Sequence, residues 1–202
     1  MSVNLVTALA GGRGTGKTDF TKNKIKKVLA SRPEIKVLII DTFDSQTWRT
    51  LATYDDPDNN TSIPIIEPLQ VPRWGNDGVR VKRVCSSDVN LSLMIAAKYC
   101  YNMLVIVEDA TRFFLNGKLT ESQRNLVLDS KQKNVDLILV FHMVIKIPLE
   151  LCPYIDLLTL FKTGEEIKRT RSRFPSPEIE KALQIISRSK NKHINVTLDV
   201  RP

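Results

Sequence analysis

The stretch that most constrains this chain lies near its start. Gly11-Gly12-Arg13-Gly14-Thr15-Gly16-Lys17-Thr18 follows directly on the apolar run Val3 to Leu9 and opens a helical segment. Strand, glycine-rich turn, Lys-Thr and helix in that order make a P-loop. Its glycines let the backbone turn tightly enough to aim successive N–H groups inward, so an anion sits among them and on the positive end of the helix. Lys17 supplies a mobile cation for terminal phosphates, and the Thr18 hydroxyl can ligate the Mg²⁺ that travels with a nucleoside triphosphate. The expected nucleotide site therefore runs from Gly11 to Thr18 and on to Asp19 in the first helical turn.

Composition sets the frame around that motif. The 202 residues are enough for one domain, 1–202, with a sizeable core. No apolar stretch approaches the roughly 20 residues of a membrane-spanning helix. The first cation is Arg13, so the start lacks the basic region of a secretory signal, and a cytoplasmic or virion-associated protein is expected. Cys85, Cys100 and Cys152 are too far apart for paired metal-ligand spacings and odd in number, which suits idle thiols in a reducing compartment. A net charge of +8 favours a polyanionic partner. Between Lys162 and Lys192 nine Lys/Arg stand against four Glu, so most of the excess lies near the C-terminus.

Strand and helix patterns alternate along the chain. Helix Lys17 to about Ala30 turns Phe20, Ile25, Val28 and Leu29 inward and Lys22, Lys24, Lys26 and Lys27 mostly outward. Lys36 to Ile40 reads as a second parallel strand with Asp41 at its C-terminal tip, the edge where open α/β sheets hold ligands. Residues Ala52 to Gly78, with Pro57, Pro64, Pro68 and Pro72, form an irregular excursion: a loop, a subunit contact or a lid. Val79 to Val84, cationic at Arg80, Lys82 and Arg83, suits a strand near a sheet edge. A helix follows from Val89 to about Tyr101, then strand Met103 to Val107. Thr120 and Gln123 make a capping box for a helix to about Gln132. Asp136 to Phe141 and Leu157 to Phe161 are further strands, Ser176-Pro177-Glu178 starts a helix, and Ile194 to Val200 alternates as a half-exposed last strand. The pattern predicts an α/β fold: a three-layer αβα sandwich with a largely parallel sheet.

A P-loop needs a carboxylate to hold the Mg²⁺ water shell and, for hydrolysis, a group to polarise the attacking water. Glu108-Asp109, at the tip of strand Met103 to Val107, offers both. Glu108 is assigned to the metal with Thr18 and Asp109 to the water, with the reverse assignment open. One extra strand between the P-loop strand and the acidic strand fits the additional-strand (ASCE, RecA-like) class of P-loop ATPases better than nucleotide kinases. A GTPase reading fails because Asn191-Lys192-His193-Ile194 has Ile where a guanine-reading Asp belongs. The nucleotide expected is therefore ATP.

The order of these features resembles the HerA–FtsK superfamily of DNA-pumping ATPases, which includes small viral genome-packaging ATPases and Zot-like phage proteins. The resemblance rests on the P-loop, Val37-Leu38-Ile39-Ile40-Asp41, Leu104 to Ala110 around the acidic pair, and Asn134 to His142, and spans residues 3 to 163. Asp41-Thr42-Phe43-Asp44 is similar to that family's turn after the second strand. The family's acidic pair is usually Asp-Glu, inverted here, and its sensor strand ends in a Gln that reads the γ-phosphate, where this chain has His142. An imidazole can donate one hydrogen bond in its place and adds pH sensitivity. The resemblance further implies a homo-oligomeric ring, commonly a hexamer, with double-stranded DNA as cargo, a capsid or assembly partner, and an arginine finger reaching the neighbour's nucleotide. Arg124 and Arg112 are the candidates. The run Lys168-Arg169-Thr170-Arg171-Ser172-Arg173 could follow a phosphate backbone without reading bases. A Zot-like assembly protein and a small-molecule kinase are the competing functions.

Overall fold

The computed structural model describes residues 4–75, 77–114 and 118–201, so Val3, at the head of the expected first strand, lies outside it. Strands β1 (Val6–Ala10), β2 (Lys36–Asp41), β3 (Ile65–Ile66), β4 (Val81–Cys85), β5 (Met103–Val107), β6 (Asp136–Phe141), β7 (Leu157–Phe161) and β8 (Asn195–Asp199) form one sheet in the spatial order β3-β4-β2-β5-β6-β1-β7-β8. All neighbours pair parallel except β7 and β8. The helices are α1 (Lys17–Ser31), α2 (Val89–Tyr99), α3 (Ala110–Phe113), α4 (Glu121–Asp129), α5 (Ile167–Thr170) and α6 (Pro177–Arg188).

The central strands are apolar throughout because both faces are covered. Successive side chains alternate between two cores. Val6, Ala8, Ala10, Val105, Val107, Leu137 and Leu139 meet α2, α4 and α6 on one side. Leu9, Val37, Ile39, Ile106, Ile138 and Val140 meet Ile25 of α1, with Trp48, Leu51 and Ile63 of the loop after β2, on the other. The three-layer αβα sandwich expected from the sequence is present. The 46–63 loop supplies part of one outer layer in place of a second helix.

The strand separating β1 from the acidic strand β5 is β6, the His142 strand, and not β2, which precedes β5 in sequence but lies on its far side. Parallel pairing then sends the residues after β1, β5 and β6 to one sheet edge. Register sets how far each projects. Ala10 is level with Phe141, whereas Val107 is level with Leu139 and with Ile40, so β5 ends two residues deeper than β6.

Two other charged features differ from the sequence reading. Lys22 is buried, its Nζ donating to the Ala52 carbonyl at 2.8 Å and lying 5.6 Å from the Trp48 ring centre. Lys26 pairs with Asp56 at 2.7 Å, so two of the four outward lysines anchor α1 to the following loop, and Lys24 and Lys27 remain exposed. Arg83 lies on a strand that is near the sheet edge as expected, one strand in, but its side chain is fully buried. Its guanidinium pairs with Asp44 and donates to the Ser45 carbonyl at 2.8 Å.

Candidate nucleotide site

The P-loop is stitched between its two flanking strands. Gly11 N donates to the Phe141 carbonyl at 3.3 Å and Gly12 N to the Lys162 carbonyl at 2.8 Å. A Cβ at Gly11 would lie 2.5 Å from Cβ of Phe161, so only glycine lets the loop press this closely on β7. Gly14 and Gly16 hold φ of 68° and 90°, the left-handed region that L side chains avoid. Gly16 occupies the N-cap position of α1 with no side-chain cap, which leaves the helix start open to an anion. Thr15 Oγ1 ties the loop internally by donating to the Gly12 carbonyl at 2.8 Å, and Arg13 is exposed.

Lys17 is buried in its own loop, with Nζ donating to the Gly11 and Gly12 carbonyls at 2.7 Å each. Burial lowers its pKa, opposed by the nearby Glu108 and Asp109 carboxylates. Two of its three donor hydrogens are engaged, so one is left to aim at a phosphate without moving the chain.

The acidic edge faces this lysine. Thr18 Oγ1 donates to Glu108 Oε1 at 3.3 Å, and the indole Nε1–H of Trp48 donates to the same oxygen at 3.2 Å. Burial pushes the Glu108 carboxyl up to about 7, with the Trp48 bond opposing, the Asp41 carboxylate adding, and Thr18 and Lys17 opposing. Its second oxygen, Oε2, is buried with no hydrogen-bond partner. Asp41, level with Glu108 across β2 and β5, is also raised by burial, against the amides of Phe43 and Thr42 that donate to it. Asp109 sits in the left-handed region at φ 49°, at the N-cap position of α3. Its Oδ2 is 2.8 Å from Arg112 Nε, and its Oδ1 is 3.1 Å from His142 Nε2 without the alignment of a hydrogen bond. His142 itself is held by its backbone N–H, which donates to Thr111 Oγ1 at 3.2 Å.

A cleft of ≈ 510 Å³ opens over Gly14 to Asp19. Its opposite wall is the loop after β2: Gln46, Thr47, Thr50, Ala52, Thr53 and Pro57. The first part of the irregular excursion, left open from sequence as loop, contact or lid, therefore borders the P-loop. Its later part, Pro68–Arg73, packs against α2. Trp48 is the residue that sequence reasoning missed. Its position seven residues past a carboxylate-tipped strand carries no motif, and only the fold brings it to Glu108.

The arginines separate. Arg112 stacks on Phe43 at 4.3 Å and pairs with Asp109 of its own chain, so it belongs to the acidic edge. Arg124, on α4, is half exposed, 3.9 Å from Glu150, and lines no part of the cleft. The basic run is not an extended track. Lys168, Arg169 and Thr170 lie in α5, Arg169 pairs with Glu166 at 3.2 Å, and Arg171 is engaged with Glu180, its Nη2 donating at 2.9 Å.

No protein-family model matches the sequence, and no curated protein sequence matches it either. Solved structures do. The genome-packaging NTPase B204 of Sulfolobus turreted icosahedral virus 2, bound to AMPPCP, superimposes with a TM-score of 0.71 at 16% identity, over 99% of this chain and 94% of that one. The two chains share one α/β P-loop NTPase fold. B204 of Sulfolobus turreted icosahedral virus, described as a DNA-packaging ATPase, gives 0.68 at 16% identity over 99% and 94% of the two chains. VirB4 of Thermoanaerobacter pseudethanolicus gives 0.59 at 10% over 97% and 89%. This shared fold is the one expected from the P-loop, Val37 to Asp41, Leu104 to Ala110 and Asn134 to His142. Among the described residues no helix is long and apolar enough to cross a membrane.

Proposed function

We propose that this protein is an ATP-hydrolysing motor that assembles as a ring, a hexamer by the family resemblance, and translocates or packages double-stranded DNA. The observation that carries the reading is the junction of Lys17, Thr18 and Glu108 at one sheet edge, beneath an open helix start. The residues fit a Mg²⁺ ion. Thr18 and Glu108 already touch, and the buried Oε2 of Glu108 has no hydrogen-bond partner, so a cation would stabilise the carboxylate that burial otherwise disfavours. When bound with the nucleotide, the ion would neutralise charge on the phosphate oxygens.

In this reading the chain's own groups divide the work. The amides of Gly14 to Asp19 hold the phosphates, and Lys17 adds a cation. Glu108 and Thr18 would hold the metal ion, and Asp109 would accept the proton of the attacking water. His142, 3.1 Å from Asp109 Oδ1 and level with Gly11 at the end of its strand, is the candidate donor to a terminal phosphate. Of the two candidate fingers, Arg112 pairs with Asp109 of its own chain, which favours Arg124 for reaching a neighbouring subunit. The packaging role is carried over from the B204 proteins, and a capsid component is the assembly partner it implies, in the cytoplasm or the virion.

The test is ATP turnover with and without double-stranded DNA, alongside mass in solution. A DNA-stimulated rate, a ring-sized species and loss of turnover in Lys17→Ala are expected. Turnover that survives Lys17→Ala would refute the site, and a monomer indifferent to DNA would refute the motor.

A further inference from the structure

The cleft over the P-loop continues sideways. A second cavity of ≈ 380 Å³ shares Gly16, Asp19 and His193 with the first and extends between Tyr54, at the far end of the loop wall, and the Asn191–Asn195 turn that enters β8. That turn is the stretch Asn191-Lys192-His193-Ile194, set aside above because it lacks the acidic residue of a guanine-reading motif. The fold nevertheless brings it onto the P-loop. A Cβ at Gly16 would meet Nδ1 of His193 at 3.0 Å, so the imidazole rests on the glycine at the head of α1. The turn is tied by its own bonds: His193 N donates to Asn191 Oδ1 at 2.9 Å, and Asn195 Nδ2 donates to the His193 carbonyl at 3.4 Å.

Charge gives the joined cavities a polarity. Lys17 and Lys22 line the first. The second has Asp19 and Asp55 and, among the described residues, no lysine or arginine. A polyphosphate is drawn to the first and repelled from the second, while an uncharged ring system meets no such penalty there. Three ring side chains line it; Phe20 packs edge-on against Phe161, and two are exposed and offer a surface, His193 and Tyr54, the latter 88% exposed. The Asn191 amide, whose oxygen is used within the turn, has its two N–H donors left for a base edge. The volume is within the usual range of small-molecule sites.

We propose that this second cavity is the nucleoside subsite, in which the base of a nucleoside triphosphate lies against His193 and Tyr54 while its phosphates lie on the P-loop. The proposal rests on the nucleotide reading of the P-loop and adds where the base goes. Stacking on an aromatic ring contributes on the order of tenfold in affinity. The full-length protein is titrated with Mg²⁺ and either ATP or inorganic tripolyphosphate, which has the phosphates and no base. The wild type prefers ATP, and that preference falls by about tenfold in His193→Ala and in Tyr54→Ala. Tyr54 is so exposed that its removal leaves the fold intact, which keeps the test informative should His193→Ala fail to fold. A preference that stays at the wild-type value in Tyr54→Ala, or losses that hit ATP and tripolyphosphate alike, overturns the subsite. A wild type that binds neither compound sinks the P-loop reading instead, and this proposal with it.

Discussion

Glu108 is the residue where the architecture can be tested without nucleotide. Its carboxyl is pushed up from 4.5 to about 7, first by burial, so the folded chain holds a proton there that the unfolded chain releases. Because the folded state binds the extra proton, stability falls as pH rises between those two values, and the full cost of a buried carboxylate is present above about 7. At about 1.4 kcal/mol for each tenfold, that cost is about 3 kcal/mol at pH 8 and below about 1 kcal/mol at pH 5. Glu108→Gln keeps the shape and an oxygen for the Trp48 and Thr18 donors while removing the charge. The variant is therefore expected to be more stable than the wild type by about 3 kcal/mol at pH 8, a rise of about 6–12 °C in Tm for a chain of this size, and nearly equal to it at pH 5. Asp41, raised by the same cause, adds a slope of the same sign in both proteins, so the comparison reports Glu108 together with its coupling to Asp41. Urea titrations of the nucleotide-free proteins at pH 5 and 8, followed by circular dichroism at fixed ionic strength, measure the difference. A stability gap that is the same at both pH values would refute the assignment of a buried, proton-holding acid to this position.

Other perturbations probe the neighbours of that acid. Trp48→Phe removes one of the two donors to Glu108 Oε1 and is expected to raise the Glu108 pKa further, moving the acidic limb of the ATPase pH profile upward; an unmoved limb would show that the indole only fills space. Gly11→Ala drives a methyl to within 2.5 Å of Phe161 Cβ and is expected to cost about 1–3 kcal/mol in chemical denaturation. Gly164→Ala, with open space around it, serves as the neutral control, and equal behaviour of the two would count against the close packing of the loop on β7.

The sheet and the P-loop were legible because they are written locally. The apolar runs of β5, β6 and β7 have the limits their composition suggests, and the Thr120–Gln123 capping box places the start of α4 where its side chains demand. Charge was less transparent. A lysine at helix spacing gives no sign of whether it meets water or a tryptophan, and Lys22 meets Trp48. Arg83 looks like an edge-strand cation until Asp44 and the Ser45 carbonyl, 38 to 39 residues away, close around it. The roles of Trp48 and His193 depend on contacts across 60 residues and 177 residues of chain, to Glu108 and Gly16, and no local pattern encodes such pairings. The strand expected between β1 and β5 is present, but its identity is not local either: sequence order places β2 there, while crossover connections place β6 there.

The offset between β5 and β6 has a further meaning. With Val107 level with Leu139 while Ala10 is level with Phe141, the sheet edge is a staircase, and Glu108 stands about two treads, or roughly 7 Å, below the rim on which Gly11 and His142 sit. Its proton affinity is thus a property of alignment more than of composition. The same residues with β5 slid upward by two positions would lift the acid to the rim, in contact with water and ionised at an ordinary pH.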